Sequence, residues 1–420
     1  MKAALITPFT SHLPFHPGSY LGYGAAVLKE IHRVDVIDQN AELYFRHRTR
    51  LSELFHQVDI APVAYDQPFL YPLNLRLMDE LEESLRQIPW KEYHSVFVTA
   101  PSWFVTVPTE EILRLSRHIR SESPRCKVFF FGNSLGSWTD EDELRRNDVR
   151  IRHLNCLDKP DSVNRPVDYD SLPTPWYESR HKYLFDILPF RLKHGCSWGK
   201  CRFCSLAKGW NSGYRERSAG NVIRELEELI DRYDPQMFVC RDNAVNGENL
   251  IEFCHAFEKF KKPWAGMARA DLSDREIEAM EKSRCRFLYF GLESGSDRIL
   301  KILNKGIDAR RMSRFVRALY DHGIMPAPSV FVGSPDEREE DFEETVGFVL
   351  EHRDYFRVVN VYPFMMSPNS EFTRKGKSPH GDTRERLKTL IDVCVDSGLK
   401  VCVGEQFAEY VLFKTSLSPT

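Results

Sequence analysis

A chain of 420 residues with 42% hydrophobic and 28% charged residues has room for two globular domains and the composition of an ordinary folded protein. The formal net charge of −3, with basic and acidic residues interspersed, gives no electrostatic footprint for a nucleic-acid partner. No apolar run approaches the roughly 18 uncharged residues that a membrane span needs, and the apolar part of MKAALITPFT is too short for a secretory signal, so the cytoplasm is the expected location.

The first part of the chain alternates strand and helix patterns. Strands are predicted at residues 3–6, 34–37, 95–99, 127–131 and 149–153, and helices at 20–31, 78–87 and 109–120, the last opening on a Thr-Glu-Glu start signal; the stretch between 38 and 78 reads as less regular. Such alternation implies a parallel, doubly wound (Rossmann/flavodoxin-like) sheet over residues 1–156. Residues 157–182 turn polar and proline-bearing and read as a linker.

From residue 183 six strand–helix pairs follow, with strands at 184–192, 237–240, 264–269, 286–290, 327–332 and 358–364 and helices such as 221–233, 248–260, 342–352 and 383–397. Six consecutive βα units predict a partial (β/α)6 barrel over 183–380, with its working residues at the C-terminal ends of the strands, and 381–420 as a C-terminal helix and tail.

Seven of the ten cysteines stand singly in apolar patterns and read as small core hydrophobes. Cys196, Cys201 and Cys204 differ: HGCSWGKCRFCSLAKG sets them as Cys-x4-Cys-x2-Cys, directly after the first predicted barrel strand. Three thiolates on one short loop can bind three irons of a [4Fe–4S] cube and leave the fourth open. A structural zinc site would need a fourth ligand, from His194 or a distant cysteine.

This loop resembles that of the radical S-adenosylmethionine (SAM) superfamily, over roughly residues 183–375. The usual family spacing is Cys-x3-Cys-x2-Cys, so one residue is additional here; Phe203 matches the family's aromatic before the third cysteine, where it would shield the cluster. The resemblance implies SAM-binding residues strand by strand. Asp242 and Asn243 in CRDNAVNG stand where the family often has Gly-Gly-Glu, although an Asx turn explains the pair equally well. Arg269 in MARADL would meet the SAM carboxylate, with an ion pair as the competing account. Glu293 and Ser294 open FGLESGSDRILKILNKG, the most specific match, and would contact the ribose or amino group. Gly333 and Pro335 would pack near adenine, while Tyr362 and Phe364 fit either the barrel mouth or the core.

A doubly wound domain before such a barrel resembles the subgroup that binds cobalamin (B12). Thr7, Ser102, Trp103 and Asn133 fall at the C-terminal strand edge where that cofactor would sit, and no Asp-x-His-x-x-Gly motif is present. The resemblance implies reductive cleavage of SAM at a [4Fe–4S] cluster and cobalamin-dependent methylation of an unactivated carbon. The expected partners are a small-molecule or peptide substrate and an electron donor such as flavodoxin or ferredoxin, and the charge balance and hydropathy leave neither nucleic acid nor membrane expected. A radical rearrangement, cyclisation or epimerisation without methyl transfer, or a non-enzymatic iron–sulfur or zinc protein, are the alternatives.

Overall fold

The computed structural model describes residues 1–10, 12–60, 71–100, 107–132, 140–157, 166–204, 213–367 and 370–417. They group into two units, one of Met1–Leu51, Tyr71–Gly195 and Lys208–Pro235, the other of Ser52–Leu70, Cys196–Ala207 and Gln236–Thr420.

The first unit holds five parallel strands, β1 (Lys2–Thr7), β2 (Arg33–Asp38), β3 (Ser95–Thr99), β4 (Lys127–Phe131) and β5 (Arg150–Ile151), in the order β2-β1-β3-β4-β5. Strands β1, β3 and β4 are buried along nearly their whole length, which is why they read as short apolar runs rather than as alternation. Helices α1 (Ser19–Lys29), α2 (Gln39–Arg46), α4 (Tyr71–Arg86), α5 (Thr109–Glu122) and α6 (Glu141–Arg146) connect or flank them, and α3 (Arg48–Ile60) starts in this unit and belongs mostly to the other. The stretch expected to be irregular after residue 38 is largely helical over its described residues 39–60 and 71–78. The Asp38 carboxylate caps α2 by accepting from Ala41 N at 3.1 Å, a signal hidden because Asp38 also ends β2.

The described part of the predicted linker packs onto this unit: Val167 and Tyr169 join its core with Tyr23, Phe97 and Phe131. Strand β6 (Ile187–Phe190), the antiparallel pair β7 (Lys193–His194) and β8 (Arg215–Glu216), and helix α7 (Ala219–Tyr233) complete the unit. Here Arg217 is buried between Asp170 at 2.7 Å and Glu225 at 3.0 Å, and Glu225 also accepts from the Tyr23 hydroxyl at 2.8 Å. Deeply buried charges survive only when paired and hydrogen-bonded in this way.

The second unit contributes six parallel strands that neighbour one another in chain order: β9 (Met237–Cys240), β10 (Trp264–Ala268), β11 (Cys285–Glu293), β12 (Met325–Val332), β13 (Val359–Pro363) and β14 (Val401–Val403). Between them run α8 (Leu250–Phe257), α9 (Asp274–Lys282), α10 (Asp297–Ile302), α11 (Ala309–Asp321), α12 (Glu339–Glu351), α13 (Glu371–Arg374) and α14 (Thr383–Asp396), and α15 (Glu405–Leu417) follows β14. Trp264 meets Phe253 and Phe257 of α8, and Phe290 meets Phe315 of α11, so these residues mark the helix-covered face of the sheet. Alternation then turns Ala265 and Met267 of β10, and Phe287, Tyr289 and Gly291 of β11, to the inner face.

The sequence predicts a tail after residue 397; the structure has strand β14, paired in parallel with β13, and helix α15. Phe413 of α15 lies 5.5 Å from the ring of inner-face Phe287, and Glu409 forms a 2.6 Å ion pair with Arg241, both side chains buried. The C-terminal helix therefore packs on the inner face of the sheet. Among the described residues no helix is long and apolar enough to cross a membrane.

Candidate functional site

Cys196, Cys201 and Cys204 are half-buried and not disulfide-bonded, on the loop 196–204, with Cys204 N donating to the Cys201 carbonyl at 3.3 Å. What holds this loop is a run of backbone carbonyls. Helix α10 ends at Ile302, and a helix end leaves carbonyls without intrahelical donors. Ile302 O accepts from Arg202 Nη1 at 3.2 Å, Leu303 O from Arg202 N at 3.0 Å, Asn304 O from Trp198 Nε1 at 3.0 Å and Lys305 O from Arg269 Nη2 at 2.9 Å. In return the Asn304 side chain donates to Lys200 O at 2.8 Å. The phrase Gly291–Gly306 is thus the dock of the cysteine loop as well as the start of a helix.

Arg269 follows β10 directly and is 6% exposed. Asn246 fixes its backbone on both sides, accepting from Arg269 N at 2.8 Å and donating to Arg269 O at 3.1 Å. The guanidinium donates through Nε to Asp271 at 3.0 Å and through Nη2 to Lys305 O, and its centre lies 4.8 Å from the Trp198 ring. Nη1 has no hydrogen bond among the described residues. Glu293 (φ +64°) accepts from Lys305 Nζ at 2.7 Å in a largely buried pair. A Cβ on Gly291 would lie 2.0 Å from Glu293 Oε1 and 2.6 Å from Lys305 Nζ, so glycine is required for the pair to form there.

Burial pushes the Cys201 thiol up, while Lys305 and Arg269 pull it down and Glu293 and Cys196 add to the rise. Cys201 is thus within electrostatic reach of Arg269, Lys305, Glu293 and Cys196. Among the described residues no three His, Cys, Asp or Glu side chains close on a single ion. A [4Fe–4S] cube spreads its three thiolates over three separate irons and needs no such convergence. Three thiols on a docked loop, next to a guanidinium with a spare N–H, fit a cluster that leaves one iron for an amino-acid ligand.

The remaining expected SAM residues divide. The Asn243 Oδ1 is buried without a hydrogen-bond partner among the described residues, while Asp242 lies 1% exposed and accepts from Cys240 Sγ at 3.3 Å. The Ser294 hydroxyl is committed elsewhere: it pairs with Thr345 of α12 at 2.8 Å and accepts from Ser296 N at 3.1 Å. Gly333 (φ +79°) donates its N–H to Glu337 at 2.8 Å, and Glu337 pairs with Arg386 at 2.6 Å. Phe203 packs 5.4 Å from Phe331 in a cluster with Phe364, Phe372, Ile299 and Leu303, so Phe364 belongs to the core. Trp198, Asn246, Lys305 and Asn304 were not singled out by sequence; only the lengthened cysteine spacing pointed toward Trp198.

In the first unit the strand order reverses direction between β1 and β3, the switch point where such sheets bind ligands. Thr7 and Thr99 end these two adjacent strands, and the Oγ1 atoms of both are buried with no partner among the described residues. Gln39 Nε2, at the start of α2, is in the same condition. Gly132 follows β4 at φ +138°, and a Cβ there would lie 3.4 Å from Thr99 Oγ1. Buried hydroxyls left unsatisfied cost stability, and a bound ligand is one way to satisfy them. Ser102, Trp103 and Asn133, expected at the same edge, lie outside the described residues.

Residues 191–349 match the Radical SAM superfamily. An uncharacterised methyltransferase of Pyrococcus horikoshii is 29% identical over 214 residues, covering 47% of this chain and 46% of its own. A tRNA-2-methylthio-N(6)-dimethylallyladenosine synthase of Moorella thermoacetica is 25% identical over 220 residues, covering 48% of each. The chain therefore spans about half the length of the curated relatives it matches. The radical SAM methyltransferase TsrM of Kitasatospora setae, solved with tryptophan substrate and a SAM analogue, superposes with a TM-score of 0.58 at 16% identity, covering 86% of this chain and 72% of that one. At that identity the likeness establishes a shared fold.

Proposed function

We propose that this chain, whose residues 191–349 form a radical SAM domain, is a cobalamin-dependent radical SAM methyltransferase acting on an unactivated carbon of a small molecule or peptide. The observation that carries it is the cysteine loop docked on the carbonyls of residues 302–304 beside Arg269, in a chain that also holds, at a doubly wound switch point, hydroxyls without partners among the described residues.

When bound, a [4Fe–4S] cluster and SAM supply a radical that removes a substrate hydrogen, and methylcobalamin supplies the methyl group. The protein's part is to hold and orient. Cys196, Cys201 and Cys204 ligate the cluster, Arg269 Nη1 receives the SAM carboxylate, and Asn243 Oδ1 offers an acceptor to the amino group. The Lys305–Glu293 pair fixes the wall beside Cys201. Thr7, Thr99 and Gln39 supply hydrogen bonds to the cobalamin periphery. Support for methyl transfer comes from the methyltransferase relative and from the fold shared with TsrM, whose other structure holds cobalamin and a [4Fe–4S] cluster.

The test is anaerobic reconstitution with iron, sulfide and hydroxocobalamin, followed by reduction in the presence of SAM. Distinct cluster and cobalamin absorption bands, and formation of S-adenosylhomocysteine alongside 5′-deoxyadenosine, are expected. Release of 5′-deoxyadenosine alone would favour a rearrangement, and neither product would sink the enzyme reading.

A further inference from the structure

The cysteine loop is one residue longer between Cys196 and Cys201 than the spacing usual in the family it resembles, and Trp198 occupies that longer span. Its indole is fixed from three directions. Nε1 donates to Asn304 O at 3.0 Å. One neighbour of the ring is the Arg269 guanidinium, 4.8 Å from the ring centroid. Another is Gly306, at φ +71°, where an added Cβ would lie 2.4 Å from Trp198 Cζ2, so any larger residue would displace the indole. Asn304 itself is held to the loop by its donation to Lys200 O, so ring and dock lock each other.

The same contacts constrain Arg269. Asp271 takes Nε, Lys305 O takes Nη2, and the indole lies within cation–π range of the guanidinium. A long arginine side chain free in solution has many rotamers, and a ligand that uses it must order it on binding. Here the ordering is already done, and Nη1 is the donor left over among the described residues.

We propose that Trp198 is a positioning residue for SAM binding: it holds the Arg269 guanidinium so that Nη1 faces the SAM carboxylate. The inference rests on the radical SAM reading and adds to it a role for the additional loop residue. Trp198 also gives one of the hydrogen bonds that dock the cysteine loop, but the two from Arg202 and the one from Asn304 remain without it, so its removal is predicted to change SAM affinity while the loop keeps its iron.

The experiment uses the full chain, reconstituted anaerobically, with iron per chain and the SAM dissociation constant measured by equilibrium dialysis. Trp198→Ala is expected to weaken SAM binding roughly 10-fold at unchanged iron content, and Arg269→Ala by at least as much. Trp198→Phe, which keeps an aromatic face, is expected to restore most of the affinity. The double variant Trp198→Ala/Arg269→Ala is expected to bind no more weakly than Arg269→Ala, since residues acting as one unit are not additive. Additive losses, an unchanged SAM affinity in Trp198→Ala, or loss of iron in that variant would each overturn the proposal. Failure of the underlying reading looks different: the unaltered chain would bind no SAM, or Arg269→Ala would bind it normally.

Discussion

Lys305 Nζ lies 2.7 Å from Glu293 Oε1, with both side chains almost withdrawn from water, and the pair sits directly over Gly291 on the inner face of β11. Breaking one partner of such a pair leaves a buried charge uncompensated. Lys305→Ala is predicted to lower stability by about 3 kcal/mol, whereas Lys305→Met with Glu293→Gln is predicted to cost much less. Denaturant titration of the two variants under identical conditions checks the difference.

The orphaned hydroxyls of the first unit give a prediction with opposite signs for folding and binding. Thr7→Val and Thr99→Val remove groups that are buried without partners among the described residues, so each is expected to leave the unliganded chain unchanged or more stable by up to about 1 kcal/mol. The same replacements are expected to reduce cobalamin retention on gel filtration, read from the corrinoid absorption bands. Retention equal to that of the unaltered chain in both variants would separate these hydroxyls from the cofactor.

Asp38 carries a pH signature. Burial raises its carboxyl to about 6, despite the opposing hydrogen bonds from Ala41 N and the Tyr183 hydroxyl. Between the unfolded value near 3.9 and that figure, the folded chain keeps a proton that the unfolded chain has lost. Stability therefore falls as pH rises through this window, by at most about 3 kcal/mol, and stays at the lower level above it. Asp38→Asn keeps an acceptor for the cap of α2 and abolishes the titration. Urea midpoints of the variant are expected to fall less between pH 4 and pH 6.5 than those of the unaltered chain.

Helix α15 is predicted to be integral to the second unit. Glu409→Ala would take from the buried Arg241 guanidinium, 4% exposed, the carboxylate 2.6 Å away, at a cost of about 3 kcal/mol. Limited proteolysis after residue 404 should accelerate in that variant.

How far the sequence reached follows from what each feature is made of. Strands such as β3 and β4 are contiguous apolar runs, and their limits at Ser95–Thr99 and Lys127–Phe131 agree with the pattern. The three cysteines are legible because ligand type and spacing are local. Strand β14 is only three residues long, and what defines it is pairing with Val359–Val361, some forty positions earlier, which no local pattern carries. Ser294 has the right neighbours in sequence for a ligand contact, yet Thr345 on α12 claims its hydroxyl. The carbonyls of residues 302–305 that hold the cysteine loop and Arg269 have no side-chain signature at all, and Trp198 was visible only as an unexplained extra residue.

The central claim, that Cys196, Cys201 and Cys204 hold a [4Fe–4S] cluster to which SAM binds, is tested most directly by electron paramagnetic resonance of the reduced, reconstituted chain with and without SAM. The account predicts a [4Fe–4S]+ signal whose shape changes on adding SAM, and its loss in each single Cys→Ala variant at these three positions. A signal that survives all three replacements, or one that SAM leaves untouched, would contradict it.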